Sequence, residues 1–323
     1  MELAGKRFAV IGGAGFIGSH VTDQLLQAGA REIVVFDDLR RGRLANLADA
    51  SRDKRVRFVQ GSITDRDKVF TVIAGVDGVF LLAALWLDEC DRDPRTAWEV
   101  NVLGTWNVVE ACRSFGRPRI VFSSSASVYG DAVELPITED HPFTNRTVYG
   151  ATKIAGEQML WSAASSWAQP YAALRYMNVY GPRMDDRGAY VSVIIRVLER
   201  LSRGKAPIVY GDGTQTFDFV HVSDVARANI LAMTADFHAD AVNVGSGRGT
   251  SVNDLVARLA QLCGSSAAPI YEPELTQLVK RRVGDTRKAT ALMAFDSRVS
   301  LERGLTDFVN WWRTDGSRAS GRE

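Results

Sequence analysis

Residues 8–20, FAVIGGAGFIGSH, run an apolar β-branched segment into glycines at 12, 13, 15 and 18 and then into an amphipathic helical pattern. A strand, a tight turn and a helix in that order make the first half of a βαβ unit. Further along, EIVVFDD (32–38), VRFVQGS (56–62), GVFLLAAL (78–85) and RIVFSSS (119–125) repeat the strand signal, and helix-length amphipathic segments separate them. Such alternation predicts an α/β fold with a doubly wound parallel sheet. Thr64 is expected to cap the helix that follows the third strand, and residues 92–115 and 148–167 read as long helices after the fourth and fifth. Beyond YAALRYMNVYGP (171–182) the alternation becomes irregular, with Pro and Gly at 181–189, 204–207 and 211–213. A smaller C-terminal α/β lobe is expected there. FDFVHVSDVARANILAM (217–233) looks like a strand and helix returning to the first lobe. The expected division is therefore 1–178 with an interleaved 217–243, then 179–313, then a flexible tail at 314–323.

Bulk composition narrows the function classes. The chain has 323 residues, 46% of them hydrophobic, which is ample for two lobes and excludes a disordered chain. Thirty-nine basic residues face 38 acidic ones for a net charge of +1, with no long run of one sign, so nucleic acid is not an expected partner. The apolar run at 79–87 is about half the roughly 18 residues that suggest a membrane span. Lys6 and Arg7 before an apolar run imitate a signal peptide, but the run continues into the glycine turn and reads as a buried first strand. Cys90, Cys112 and Cys263 are odd in number and lack metal-ligand spacing. They fit a reducing compartment, the cytoplasm by expectation, and no metal site is expected.

The glycine spacing satisfies both GxxGxxG and GxGxxG, and a pyrophosphate could sit at the helix N-terminus behind it. Glycine turns after strands are common, so Asp37 carries weight. It ends the second strand, 19 residues past Gly18, where a carboxylate can accept both hydroxyls of an adenosine ribose. The same charge repels a 2′-phosphate, which favours NAD over NADP. Arg40, Arg41 and Arg43 close by are either a solvated basic turn or a counterweight to that preference. In YGATK (149–153), Tyr149 and Lys153 are four apart near a helix start and project from one face. A tyrosine with an ordinary pKa of about 10 is a poor base at neutral pH, but an ammonium and a positive nicotinamide ring nearby stabilise its phenolate.

With the glycine turn, Asp37, the serine strand RIVFSSSASVYG (119–130) and the YGATK pair in this order, the chain resembles the extended short-chain dehydrogenase/reductase family. The resemblance is in particular to the nucleotide-sugar epimerases and dehydratases, over nearly the whole chain from Phe8 to about Trp312. The resemblance implies a Rossmann lobe holding NAD and a smaller lobe for a nucleoside-diphosphate sugar, a UDP-sugar foremost. It also implies a homodimer formed by the helices starting near Arg92 and Val148. Cofactor contacts implied are Gly12, Gly15, Phe16, Ile17, Gly18, Asp37, Asp38, Ile63, Asn101, Tyr149, Lys153 and Tyr176. By the same resemblance Ser125 hydrogen-bonds the sugar 4-hydroxyl, Tyr149 removes its proton, and Lys153 binds the nicotinamide ribose. Trp86, Ser125, Ala126, Tyr149, Asn178, Arg282 and Asp285 face the substrate, with Arg282 on the diphosphate and Asp285 on the nucleoside ribose.

Departures from the family pattern sharpen the expected reaction. Relatives that dehydrate the sugar carry an Asp-Glu pair after the position of Ser125, whereas this chain has Ala126 and Ser127. Neither can protonate a leaving hydroxyl as a carboxylic acid would, so a 4-epimerase is expected. LWLDECDRDP (85–94) keeps a second route open, in which Asp88, Glu89 or Cys90 diverts the keto sugar to an unusual dehydration or rearrangement. A non-catalytic dinucleotide sensor is the third reading, and the intact Ser125, Tyr149 and Lys153 set weighs against it. Ile11, Ser62 and Phe217 stand where a threonine, an aspartate and an arginine are usual. Arg183 or Arg187 could supply the charge that Phe217 lacks.

Overall fold

The computed structural model describes residues 1–185, 192–274 and 279–316. The first half alternates β1 (Arg7–Ile11), α1 (Phe16–Gln27), β2 (Glu32–Asp37), β3 (Val56–Gln60), α2 (Arg66–Ile73) and β4 (Gly78–Leu81). Then come α3 (Leu87–Arg92), α4 (Pro94–Ala97), α5 (Gly104–Ser114), β5 (Arg119–Ser125), α6 (Val148–Trp167) and β6 (Tyr171–Tyr176). The second half holds β7 (Asn178–Tyr180), α7 (Val193–Ser202), β8 (Ile208–Tyr210), β9 (Thr216–His221), α8 (Val222–Thr234) and β10 (Ala239–Val244). It finishes with β11 (Gly249–Ser251), α9 (Val252–Cys263), β12 (Ile270–Glu272), β13 (Arg281–Arg282), α10 (Arg287–Met293) and α11 (Leu301–Trp311).

Seven strands form one sheet in the order β10-β6-β5-β4-β1-β2-β3, and every neighbouring pair is parallel. A parallel sheet needs both faces covered, and its central strands are accordingly continuous apolar runs: VFL of β4 and AVI of β1 are wholly buried. One face packs α1 and α8 through Val21, Leu25, Val225 and Met233; the other packs α2, α5 and α6 through Val69, Val108 and Leu160. This is the Rossmann type of α/β fold. Chain order reverses between β1 and β4, and in such sheets ligands bind in the crevice at that reversal, outside the carboxyl ends of the strands. The edge strand β10 comes from far along the chain, after β9 has joined a separate small sheet with β7, β11 and β13, so of the strand and helix expected to return to the first lobe over 217–233 only the helix α8 does so. Around that small sheet, Tyr180, Leu198, Leu255 and Phe308 make a core of their own.

Two local expectations are corrected. Asp65, not Thr64, caps α2: its carboxylate accepts from the Lys68 amide at 3.1 Å, while the Thr64 hydroxyl meets Ser62 Oγ at 2.8 Å. The acidic side chain sits one residue later, in register with the third amide of the helix. The long helix expected over residues 92–115 is interrupted. α3 ends at Arg92, Asp93 caps α4 with Pro94 at its first position, and Trp98–Leu103 is a π-helical stretch before α5. Proline has no N–H to continue the preceding ladder, which explains the break. The wider π turn carries Asn101 into the interior.

Candidate active site

A cleft opens at the carboxyl ends of β1, β2 and β4. Gly12 in the turn after β1 has φ +85°, and a Cβ there would lie 2.6 Å from the Ala83 backbone nitrogen. Only glycine lets this turn nest against the segment that follows β4. α1 then starts from Gly15 with no side-chain cap and no acidic residue in its first turn. Its first N–H groups and the positive end of its dipole face the cleft, which suits a pyrophosphate. Asp37 is almost wholly buried; its carboxylate accepts from the Ala14 amide at 3.0 Å and the Leu39 amide at 2.9 Å. Burial raises its pKa and these amides pull it back. A glycine cradle at a helix start with a fixed carboxylate beside it fits an adenine dinucleotide.

Eleven of the twelve cofactor-facing candidates line this one cleft: Gly12, Gly15, Phe16, Ile17, Gly18, Asp37, Asp38, Ile63, Tyr149, Lys153 and Tyr176. Trp86 lines it too. Asn101 lies behind the wall. Its carbonyl accepts from the Leu85 amide at 2.7 Å, and its amide nitrogen donates to Leu85 O and Thr152 Oγ1, both at 3.1 Å. It therefore clamps the post-β4 segment to α6 and acts on the cleft through Leu85.

Tyr149 and Lys153 enter from the start of α6, whose Thr147 cap accepts from the Gly150 amide at 3.1 Å. Burial raises the Tyr149 phenol to about 12; the Ser125 hydroxyl and the Arg282 guanidinium pull it down. Burial lowers the Lys153 ammonium to about 8, opposed by Cys90 and Glu157. Lys153 Nζ donates to the Ser123 carbonyl at 2.8 Å and stands 5.7 Å from the centre of the Tyr149 ring. The charge reaching the phenol from the protein thus includes Arg282 of the small sheet, a contribution the spacing of YGATK gave no sign of. Ser123 Oγ bonds the Tyr176 hydroxyl at 3.0 Å, and Ser124 Oγ bonds Glu157. Ser125 Oγ accepts from the Ser127 amide at 3.1 Å, ahead of the buried Ala126.

Asn178 and Arg282 lie on β7 and β13, two of the three strands that pair with β9. The Asn178 side-chain nitrogen is buried with no hydrogen-bond partner among the described residues, a donor suited to an acceptor from outside. Arg282 pairs in register with Phe217 on β9, and the Phe217 ring packs edge-on against Phe219. Asp285 is held by Arg287, whose Nε lies 2.9 Å from it, and this pair lowers its pKa. Arg183 is bonded to Asp23 of α1 at 2.7 Å; Arg187 and the tail from residue 317 lie outside the described residues. In the 85–94 segment Asp88 pairs with Arg92 at 2.7 Å, Glu89 pairs with Arg40 and Arg41, and Cys90 is fully buried with its thiol pushed up to about 11.

Several lining residues escaped the motif reading. Gly61, Leu82, Ala83 and Ala84 follow β3 and β4 directly, and a search at strand ends beside the switch point would have found them. Asp185 lines the same cleft from beyond β7, and no local signal marks it.

Comparison with known proteins agrees with this geometry. Residues 8–245 match the model of the NAD dependent epimerase/dehydratase family. The UDP-glucose 4-epimerase of Mycolicibacterium smegmatis is 34% identical over 311 residues, spanning 95% of this chain and 98% of that one. The structure of UDP-N-acetylglucosamine 4-epimerase from Methanobrevibacter ruminantium, in complex with UDP-N-acetylmuramic acid, superposes with a TM-score of 0.91 at 29% identity, covering 96% of this chain and 99% of that one. The dTDP-glucose 4,6-dehydratase of Streptomyces venezuelae with NAD bound gives 0.90 at 28% identity, covering 97% and 98%.

Proposed function

The chain belongs to the NAD-dependent epimerase/dehydratase family, and from that membership we propose that it is a 4-epimerase of a nucleoside-diphosphate sugar, a UDP-sugar foremost, working through a transient 4-keto sugar. The observation that carries this reading is the placing of Tyr149 and Lys153 together in the cleft wall, the Lys153 ammonium 5.7 Å from the centre of the phenol ring, at a site where Ala126 and Ser127 supply no carboxylic acid.

NAD, held by the glycine turn, Asp37 and Lys153, would supply the hydride acceptor and donor for oxidation and re-reduction at sugar C4. Tyr149 takes the 4-hydroxyl proton and gives it back, and Ser125 orients that hydroxyl. Lys153, fixed on the Ser123 carbonyl, supplies positive charge beneath the phenol and a donor for the nicotinamide ribose. Asn178 and Arg282 take the diphosphate, where a guanidinium and a buried amide nitrogen meet phosphate oxygens. Asp285 takes the nucleoside ribose with Arg287 as its counter-ion. Two copies pair through the outer faces of the helical segment that starts near Arg92 and of α6.

The dehydratase alternative through residues 88–90 loses support from their surroundings: Asp88 and Glu89 are in ion pairs, and Cys90 is enclosed. Incubating NAD-loaded protein with UDP-glucose and UDP-N-acetylglucosamine, then resolving products by chromatography and mass, tests the reading. A product of unchanged mass that elutes as the 4-epimer is expected. A product lighter by one water overturns epimerisation in favour of dehydration.

A further inference from the structure

The loop after β2 carries Arg40, Arg41 and Arg43 just past Asp37 in the chain, and Arg40 and Arg41 line the cofactor cleft. Free guanidiniums at that place are what a 2′-phosphate would need. Here they are engaged from outside the loop. Arg41 Nε donates to Asp185 Oδ2 at 2.7 Å, and its Nη1 to Glu89 Oε2 at 3.3 Å. Its guanidinium carbon lies 4.1 Å from the centre of the Trp86 ring. Arg40 Nε donates to Glu89 Oε1 at 3.2 Å, and Arg43 Nη2 stands 3.8 Å from Asp185 Oδ1. The two carboxylates come from different places, Glu89 from α3 after β4 and Asp185 from the segment after β7. Their side chains are only 13% and 8% exposed; Arg41, which bonds both, is 22% exposed and is better shielded from solvent screening than Arg40, at 48%. Gly42 fixes the loop's approach, since a Cβ there would lie 2.5 Å from Asp37 Oδ1.

We propose that Glu89 and Asp185 are determinants of cofactor selectivity, holding Arg40, Arg41 and Arg43 away from the adenosine 2′ position so that NADP is refused a counter-charge as well as repelled by Asp37. Selection against NADP then has two parts. Asp37 places a negative charge where the extra phosphate would fall, and Glu89 with Asp185 occupies the cations that could offset it. The inference rests on NAD as the cofactor of this cleft and assigns no part in the chemistry to either carboxylate.

The test is titration of nucleotide-stripped protein with NAD and with NADP, read by quenching of tryptophan fluorescence, Trp86 being in the cleft wall. Wild-type NAD binding is the control for the cofactor assignment; its absence would count against that assignment, whatever the ratios do. In Glu89→Gln, Asp185→Asn and the double variant, NADP is expected to bind about tenfold or more tighter, as guanidiniums no longer paired to these two carboxylates, Arg40 foremost, gain charge-assisted bonds. NAD affinity should change much less. Weaker binding of both nucleotides in equal measure, or an unchanged ratio, overturns the proposal, because a merely structural role cannot improve NADP. Arg40→Ser gives the converse reading should the carboxylate variants not fold. A neutralised Arg40 predicts a nearly unchanged NADP-to-NAD ratio, and a selective loss of NADP affinity would show that the arginine already serves the 2′ position.

Discussion

In the proposed mechanism Tyr149 and Lys153 carry the chemistry, and each makes a distinct prediction at the level of the single residue. Tyr149→Phe keeps the ring and removes the proton acceptor, so turnover should fall by about two to four orders of magnitude with NAD retained and the melting curve unchanged. Ser125→Ala should cost less, since the base survives, and Lys153→Met should damage both turnover and NAD retention. Near-normal turnover by Tyr149→Phe with its NAD in place would mean that the YGATK spacing is only a helix face. The pH dependence follows from Lys153, whose ammonium burial lowers to about 8. Below that pH the cation is present beneath the phenol; as pH rises through it the charge is lost. Turnover of the NAD-loaded protein is therefore expected to decline with an inflection near pH 8. Lys153→Arg, which stays charged, should remove that inflection even if its overall rate is lower. A wild-type profile flat from about pH 7 to about pH 10 would contradict the assignment. At this scale the sequence was informative where a position follows from residue type and spacing, as with Asp37 and the Tyr149–Lys153 pair, which line one cleft. It was silent where a role depends on what the fold brings alongside, as with Arg282 near the phenol or Asn101 behind the wall.

At the scale of elements, α6 and β6 are joined by a buried ion pair that also underlies the serine strand. Arg175 Nη2 lies 2.7 Å from Glu157 Oε2, with both side chains under 10% exposed. Glu157 also receives the Ser124 hydroxyl, and Arg175 donates to the Tyr129 hydroxyl at 2.8 Å. Arg175→Leu leaves a carboxylate buried without its partner and should cost about 3–5 kcal/mol in urea unfolding, whereas Arg175→Leu with Glu157→Leu should cost distinctly less. Equal losses in the two variants would show that the pair is not coupled. Periodicity located the strands and helices of the parallel sheet because burial on both faces writes continuous apolar runs into them. Caps and interruptions were harder. Thr64 and Asp65 are both good capping residues, and only backbone geometry decides between them. The π stretch at Trp98–Leu103 leaves no periodic signature, because one extra residue in a turn shifts a pattern that is only about three turns long.

For the whole molecule, the proposed homodimer has a physical candidate for its contact. Trp98 and Leu103 from the π stretch and Trp161 from α6 are 60%, 48% and 61% exposed, and α6 packs beside that stretch. Light scattering at micromolar concentration should give twice the 35.4 kDa chain mass, and Trp161→Lys with Trp98→Lys should give the monomer. A wild-type monomer would refute the pairing. Strand alternation announced the larger sheet, but its order was not legible, because the last strand to join is separated from its neighbour by a whole excursion through the small sheet. That excursion matters on the ribosome. About sixty residues lie between the end of β6 and the start of β10. At the usual pace of translation they take roughly 3–12 s to make, during which β6 has nothing on its outer side. A nascent chain therefore carries an open, apolar sheet edge for seconds before it can be closed in cis. Slower synthesis across residues 177–238 is then expected to raise the loss to self-association without changing the stability of the finished fold.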